Sequence, residues 1–185
     1  SSKLGSTRCG GIVLYWGKRT YIMGVINVSP DSFSGDGVAD VDGAIAKGRR
    51  FVLEGADIID IGGESTRPGS APIATDKELR RVIPVVEKLS QEISVPLSVD
   101  TYKLEVARQA LNAGANMIND IWGLQKELKL AELAARKGVP IALMSNQRGS
   151  PPCHDIVSVV ISDLKRAIEQ ALNAGVPWEN IITDP

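Results

Sequence analysis

Short apolar segments alternate with longer amphipathic segments from residue 21 to the end of the chain. The short segments contain three to eight residues, many of them β-branched, which is typical of strands buried on both faces. The predicted strands are 21–28, 58–61, 96–99, 117–121, 140–144 and 181–183.

The longer segments repeat apolar residues at steps of three and four, which predicts helices with one face packed against a sheet. The predicted helices are 41–55, 75–93, 103–114, 126–138 and 156–175. Helix ends are indicated by Gly55, Gly114, Gly138 and Gly175. Pro84 lies inside the second helix, where it removes one backbone hydrogen bond and favours a kink.

This alternation predicts an α/β fold in which right-handed crossovers join parallel strands. Such a sheet either closes into a barrel or remains open and doubly wound. No Gly-x-Gly-x-x-Gly sequence follows the first strand, which removes the simplest dinucleotide-binding interpretation.

Composition adds bounds on size, partners and compartment. The chain has 185 residues, of which 43% are hydrophobic, as expected for a single globular domain. Its net charge of −1 gives no global field that favours nucleic acid or an acidic membrane. Cys9 and Cys153 lie far apart, and the sequence shows neither a signal peptide nor a membrane span, so we expect a reducing, cytoplasmic setting.

Polar side chains follow nearly every predicted strand. In a (β/α)8 barrel these positions and the loops after them form the active-site face, although Asp, Asn and Ser also cap helices and begin turns. Open α/β sheets place ligands beyond their strand ends as well. The residues are Asn27, Asp60, Glu64, Asp100, Asn119, Asp120, Ser145, Asn146 and Asp184.

The types of these side chains indicate what the site binds. A carboxylate accepts two parallel hydrogen bonds and an asparagine both donates and accepts, so Asp100, Asn119 and Asp184 suit a flat, nitrogen-rich ring. They would equally suit an amine or a metal ion. The loop GGESTRPGS at 62–70 adds Arg67, whose planar donors suit a carboxylate or phosphate, although Arg-Pro-Gly is also an ordinary surface turn.

Five longer motifs occur in order: MGVINVSPDSFSGDG (23–37), GADIIDIGGESTRPGS (55–70), PLSVDTY (96–102), GANMINDIWG (114–123) and IITDP (181–185). Together they closely resemble the dihydropteroate synthase family and cover essentially all of residues 21–185. The resemblance implies a TIM (β/α)8 barrel that joins 6-hydroxymethyl-7,8-dihydropterin diphosphate to p-aminobenzoate. The products of that family are 7,8-dihydropteroate and pyrophosphate, in folate biosynthesis, and sulfonamides compete with p-aminobenzoate.

The resemblance also implies roles for individual residues. Asp100, Asn119 and Asp184 would bind the pterin ring, and Asn27 would help to hold the diphosphate with its Mg²⁺. Two loops would fold over the substrates. They would contribute Phe33, Thr66, Arg67 and Pro68 to the p-aminobenzoate site, and Asp31, Asp36 and Arg67 as catalytic residues.

The chain departs from the family pattern at two positions. Ser145 follows Met144 where the family often has a histidine, so any contact of that histidine is missing. Gly35 separates Ser34 from Asp36, which shifts this loop acid by one position.

A complete barrel needs about 250 residues. We therefore expect residues 1–185 to form a single pterin-binding barrel domain that contains only the first six strands, with reduced or no activity alone and a homodimer when full length. Two other functions remain open. One is a methyltransferase that passes a methyl group from methyltetrahydrofolate to a corrinoid protein, and the other is a non-catalytic pterin-binding module.

Overall fold

The computed structural model describes residues 5–28, 37–65, 70–149 and 155–185, with residues 37–40 described by their backbone alone. Its first elements, β1 (Ser6–Cys9) and β2 (Ile12–Tyr15), pair as an antiparallel hairpin. The sequence did not predict this hairpin, because each strand has only four residues and their polarity does not alternate cleanly.

The main sheet contains six parallel strands, each paired with its neighbours in sequence. They are β3 (Met23–Asn27), β4 (Ile58–Gly62), β5 (Leu97–Asp100), β6 (Met117–Asp120), β7 (Ile141–Met144) and β8 (Ile181–Asp184). The strand order never reverses, which is typical of a barrel and differs from a doubly wound sheet. The prediction of six barrel strands within an α/β fold is therefore confirmed.

Five helices connect these strands: α1 (Gly37–Leu53), α2 (Thr75–Glu92), α3 (Leu104–Ala113), α4 (Lys129–Lys137) and α5 (Ile156–Asn173). Right-handed crossovers that always advance in one direction place every helix on the same face of the sheet. In the described ranges, no helix combines the length and hydropathy that a membrane crossing requires.

The two faces of the sheet bury different material. Ile59, Val99 and Ile118 belong to the large apolar core that also contains the helical residues Val86 and Leu89. The opposite face starts with a smaller apolar cluster at its amino end, where the hairpin residues Cys9 and Leu14 pack with Ile58, Met117 and Ala142. Polar side chains occupy the carboxyl end of that inner face.

The observed helices agree with their predicted positions, with differences at the ends. Gly55, Gly114, Gly138 and Gly175 all have positive φ, as expected for helix ends. Helix α2 continues through Pro84 from Thr75 to Glu92. Helix α4 begins three residues later than predicted. In the turns before it, Asp120 accepts hydrogen bonds from the backbone of Trp122 and Leu124.

We predict that Gly123→Ala lowers the free energy of unfolding by about 3 kcal/mol, because the added Cβ combines a left-handed backbone with a steric overlap. Gly123 has φ +53°, and its Cβ would overlap the backbone oxygen of Met144. Gly138→Ala is the matched control, since φ is +65° there but no atom lies within 4 Å of the added carbon. The control should cost only about 1 kcal/mol. Equal urea midpoints for the two variants would contradict the overlap.

Candidate functional site

Strand register aligns four residues across the carboxyl end of the sheet. Asn27 pairs with Gly62, Gly62 with Asp100, and Asp100 with Asn119. Because paired residues of a sheet project to the same face, the three polar side chains stand side by side above the inner apolar cluster. We call these four residues the strand-end row.

Gly62 leaves a gap inside this row. A Cβ at that position would lie 3.3 Å from Asp100 Oδ2 and 3.6 Å from Asn27 Oδ1. A side chain there would therefore fill the space that the two oxygens border. The absence of a side chain at Gly62 keeps an oxygen-lined opening between strands β3 and β5.

Asp60 lies one layer below the row. It is only 2% exposed, and its Oδ2 accepts a hydrogen bond of 3.1 Å from Asn119 Nδ2. Its Oδ1 and the facing Ser98 Oγ have no partner of normal hydrogen-bonding geometry among the described residues. Burial raises the pKa of Asp60, while the nearby Ser98 and Asn119 groups act in the opposite direction.

The contact with Asp60 also orients Asn119. Since Nδ2 of Asn119 donates to the carboxylate below it, the Oδ1 atom is the acceptor end that this amide retains for a ligand. An amide held in this way can accept a hydrogen bond from a ring N–H group without first rotating.

Asp100 is the titratable member of the row, and its surroundings disfavour its negative charge. Its pKa is raised well above the ordinary value, chiefly by burial and then by the negative charges of Asp60, Glu78 and Asp120. Arg148 acts in the opposite direction. A ligand that brings N–H donors or positive charge to Asp100 would therefore stabilise its ionised form.

A cavity of about 480 Å³ opens beside this row. Tyr102 and Trp122 form part of its wall, with their rings edge to face at 6.4 Å between centroids. Lys126 also lines the cavity, and its Nζ lies 4.5 Å from the centre of the Trp122 ring. The volume and the mixture of aromatic and charged walls suit a small organic ligand.

The structure brings together three of the predicted site residues: Asn27, Asp100 and Asn119. Asp184 is exposed on the edge strand β8, and it pairs with Met144 rather than with a member of the row. The remaining predicted site residues lie outside the described ranges: Asp31, Phe33, Asp36, Thr66, Arg67 and Pro68.

Three other polar residues at strand ends have structural contacts. Asp120 organises the turn after β6, and Asn146 donates to the backbone oxygen of Ile121. Ser145 Oγ donates to Asp163 Oδ2 on helix α5. The alternative of turn formation therefore describes Asp120, whereas Asn146 and Ser145 connect separate segments of the chain.

Sequence reasoning missed the role of Asp60 and did not identify Glu78 or Lys103. Asp60 precedes Gly62 by two residues, and the twofold period of a strand would have placed both on the inner face. Glu78 carried no such signal. It looks like an ordinary surface residue of an amphipathic helix, yet it is only 1% exposed.

The described residues contain no group of three or more Asp, Glu, His or Cys side chains arranged to hold a metal ion. Asn27 Oδ1 is one available oxygen beside the gap at Gly62. Mg²⁺ commonly takes only one or two protein oxygens and completes its shell with water and substrate phosphates. The row therefore fits a metal ion that is carried mainly by a phosphate ligand.

Comparison with known proteins identifies the family. A family model described as "Pterin binding enzyme" matches residues 23–185. The dihydropteroate synthase of Clostridium beijerinckii is 46% identical over 170 residues, which cover 91% of this chain and 63% of that protein. The chain thus spans less than two thirds of the length of this relative.

Solved structures give the same result. The Xanthomonas albilineans dihydropteroate synthase with 4-aminobenzoic acid superposes with a TM-score of 0.90 at 43% identity, covering 97% of this chain and 66% of that one. The same organism's enzyme in complex with 7,8-dihydropteroate gives a TM-score of 0.85 at 40% identity, covering 97% and 65%. Since those barrels extend further than this chain, its six strands form a partial barrel. By its motifs, its fold and these matches, the chain belongs to the pterin binding enzyme family.

Proposed function

We propose that this chain is part of a dihydropteroate synthase, which condenses 6-hydroxymethyl-7,8-dihydropterin diphosphate with p-aminobenzoate. The products are 7,8-dihydropteroate and pyrophosphate. The observation that carries the proposal is the strand-end row, in which the buried carboxylate of Asp100 lies beside an Asn119 amide that Asp60 orients. The ligands named for the Xanthomonas albilineans structures, 4-aminobenzoic acid and 7,8-dihydropteroate, support the same reaction.

The row suits the pterin substrate. Asp100 accepts hydrogen bonds from ring N–H groups, Asn119 Oδ1 accepts another, and Asp184 completes the predicted set. These contacts offset the desolvation that raises the pKa of Asp100. The arrangement favours a ring rich in N–H groups over one that offers only acceptors.

Asn27 is the residue that would hold Mg²⁺ together with the diphosphate, because its amide oxygen borders the gap at Gly62. When bound, the ion supplies charge neutralisation for the departing pyrophosphate. No covalent intermediate with the protein is required. The carbon–oxygen bond to the diphosphate breaks, the amine of p-aminobenzoate then attacks the cationic pterin methylene carbon, and the amine nitrogen loses one proton to solvent.

Positive charge that develops at this methylene carbon calls for nearby carboxylates. Asp31 and Asp36 remain the predicted residues for this role. Thr66, Arg67 and Pro68, with Phe33 as an apolar wall, remain the predicted site for p-aminobenzoate.

Three further expectations stay proposals. Residues 1–185 would belong to a single pterin-binding domain, and the full-length protein would form a homodimer. The setting would be the cytoplasm, which the free Cys9 supports. Burial raises the pKa of this thiol to about 12, which favours its protonated form at neutral pH.

The test is a coupled pyrophosphate assay on the longest gene product that contains this chain. Release of pyrophosphate that depends on both the pterin diphosphate and p-aminobenzoate is the expected result. Methyl transfer from methyltetrahydrofolate without dihydropteroate formation would instead identify the methyltransferase. Calorimetric binding of the pterin diphosphate without either reaction would identify a non-catalytic binding module.

We predict that Asp100→Asn weakens pterin binding by about tenfold or more, since a neutral amide replaces a charged acceptor that faces ring N–H groups. Calorimetry with the pterin diphosphate measures the change. Asp155→Asn is the matched control, because it removes a carboxylate that caps helix α5 and Asn caps helices equally well. Parental affinity in Asp100→Asn would remove this residue from the pterin site.

Asp100→Asn should increase stability at neutral pH, although it weakens pterin binding. Because the pKa of Asp100 is raised on folding, the folded chain holds this proton more tightly, and the contribution of Asp100 to the free energy of unfolding falls as pH rises above 3.8. Asn has no such loss, so Asp100→Asn should be more stable than the parent at neutral pH. The difference should vanish as pH falls to 3.8. Urea unfolding across this range checks the sign, and a pH-independent difference would contradict it.

Arg67→Lys should raise the KM for p-aminobenzoate by about tenfold, because a point charge replaces a planar donor fork that suits a carboxylate. The KM for the pterin diphosphate should change little. Steady-state kinetics with each substrate varied in turn gives both values. An unaltered KM for p-aminobenzoate would exclude Arg67 from its site.

A further inference from the structure

Lys103, just before helix α3, makes three hydrogen bonds beside the cavity. Its Nζ lies 2.7 Å from Glu64 Oε2, 2.7 Å from the backbone oxygen of Ile73 and 2.5 Å from Glu78 Oε2. An ammonium group has three N–H donors, so all of them are used. The neighbouring Tyr102 hydroxyl donates to the same Glu64 carboxylate at 3.2 Å.

Two of these partners lie on opposite sides of residues 66–69. Glu64 precedes that segment and Ile73 follows it, and the backbone N–H of Ile73 also donates to Glu64 Oε2 at 3.1 Å. Closer in, Ser70 Oγ donates to Ser65 Oγ at 2.9 Å. Lys103 therefore connects Glu64, before this segment, with Ile73, after it.

The third partner anchors the group to the core. Glu78 belongs to helix α2, is 1% exposed and forms an ion pair with Lys103. A buried carboxylate is costly without such a pair, so the position of Lys103 is fixed by the need to neutralise Glu78. Glu78 on helix α2 thus holds Lys103 in place, and Lys103 in turn holds Glu64 and Ile73.

The joined segments form one wall of the cavity described above. Glu64, Ser65, Ser70 and Pro72 line it. None of these wall residues belongs to the strand-end row. Asp100 of the row lines the same cavity, so the wall and the row contribute different residues to one site.

We propose that Lys103 is a positioning residue that holds the wall formed by residues 64–65 and 70–73, and thereby sets the affinity for the aromatic amine substrate. The proposal rests on the proposed function for the identity of that substrate. Lys103 itself is not among the residues that line the cavity. Its loss should therefore affect the substrate that meets this wall and spare the one that meets the strand-end row.

The first experiment follows hydrogen exchange of the Ile73 amide, which needs no activity. Lys103→Met should accelerate this exchange by about tenfold, because the Glu64 acceptor is no longer held in place. Lys103→Arg should restore most of the protection. Lys137→Met is the matched control, since Lys137 Nζ donates to Asn112 Oδ1 at an exposed position, and it should leave Ile73 unchanged.

The second experiment measures kinetics of the longest gene product that contains the chain. Lys103→Met should raise the KM for p-aminobenzoate by about fivefold while kcat and the KM for the pterin diphosphate change less than about twofold. Lys103→Arg should recover most of the parental KM. A general loss of structure would instead lower kcat and weaken both substrates together.

A third variant separates positioning from charge. Removing Lys103 alone adds net negative charge near Asp100, whose pKa Glu78 already raises. The double variant Lys103→Met with Glu78→Gln keeps the net charge of the cluster at −1, as in the parent with one ammonium and two carboxylates. The KM for p-aminobenzoate should remain raised in this variant. Its return to the parental value would show a purely electrostatic effect and overturn the proposal.

The outcomes distinguish this inference from the proposed function. An inactive parent would contradict the synthase, whereas the exchange of Ile73 would still decide whether Lys103 holds the wall. Unchanged exchange in Lys103→Met would overturn the inference whatever the activity. Faster exchange in an active enzyme with an unchanged KM for p-aminobenzoate would also overturn it.

Discussion

The site depends on carboxylates that are kept in a buried position with too little positive charge around them. Asp60 and Asp100 both have a raised pKa, and burial is the first cause in each case. Such a position is unfavourable for an empty protein, and it persists because the apolar core beneath and behind the strands supplies the folding free energy. The same deficit creates a preference for a ligand with many N–H donors. The burial of these carboxylates therefore lowers the stability of the empty protein and also favours the binding of such a ligand.

The fold supports this arrangement by dividing the inner face of the sheet into two ends. The hairpin β1–β2 seals the amino end with apolar side chains, while the carboxyl end carries the polar row. Helices cover only the outer face, so their packing can remain apolar without intruding on the site. Lys103 and Glu78 are the exception, since their ion pair connects helix α2 with the cavity wall.

Much of this architecture was predictable, because buried parallel strands and amphipathic helices have distinct periods. The strand-end positions of Asn27, Asp100 and Asn119 followed from the ends of apolar segments. The hairpin, the burial of Glu78 and the roles of Asp60 and Lys103 did not follow. The hairpin strands are too short and too irregular in polarity to be recognised. The other features depend on contacts between segments far apart in sequence, such as Glu64 and Lys103, which lie 39 positions apart, and local periodicity carries no such information.

The alignment of the row by strand register has a consequence for assembly. A shift of β5 by one residue would replace Asp100 with Val99 or Thr101 and turn the carboxylate towards the helices. The row exists only when three strand pairings are correct at once. A ligand that spans it recognises the native pairing and no other, so its binding stabilises that pairing by mass action. Substrate would then act as a selective check on the pairing of the barrel, in addition to its part in the chemistry.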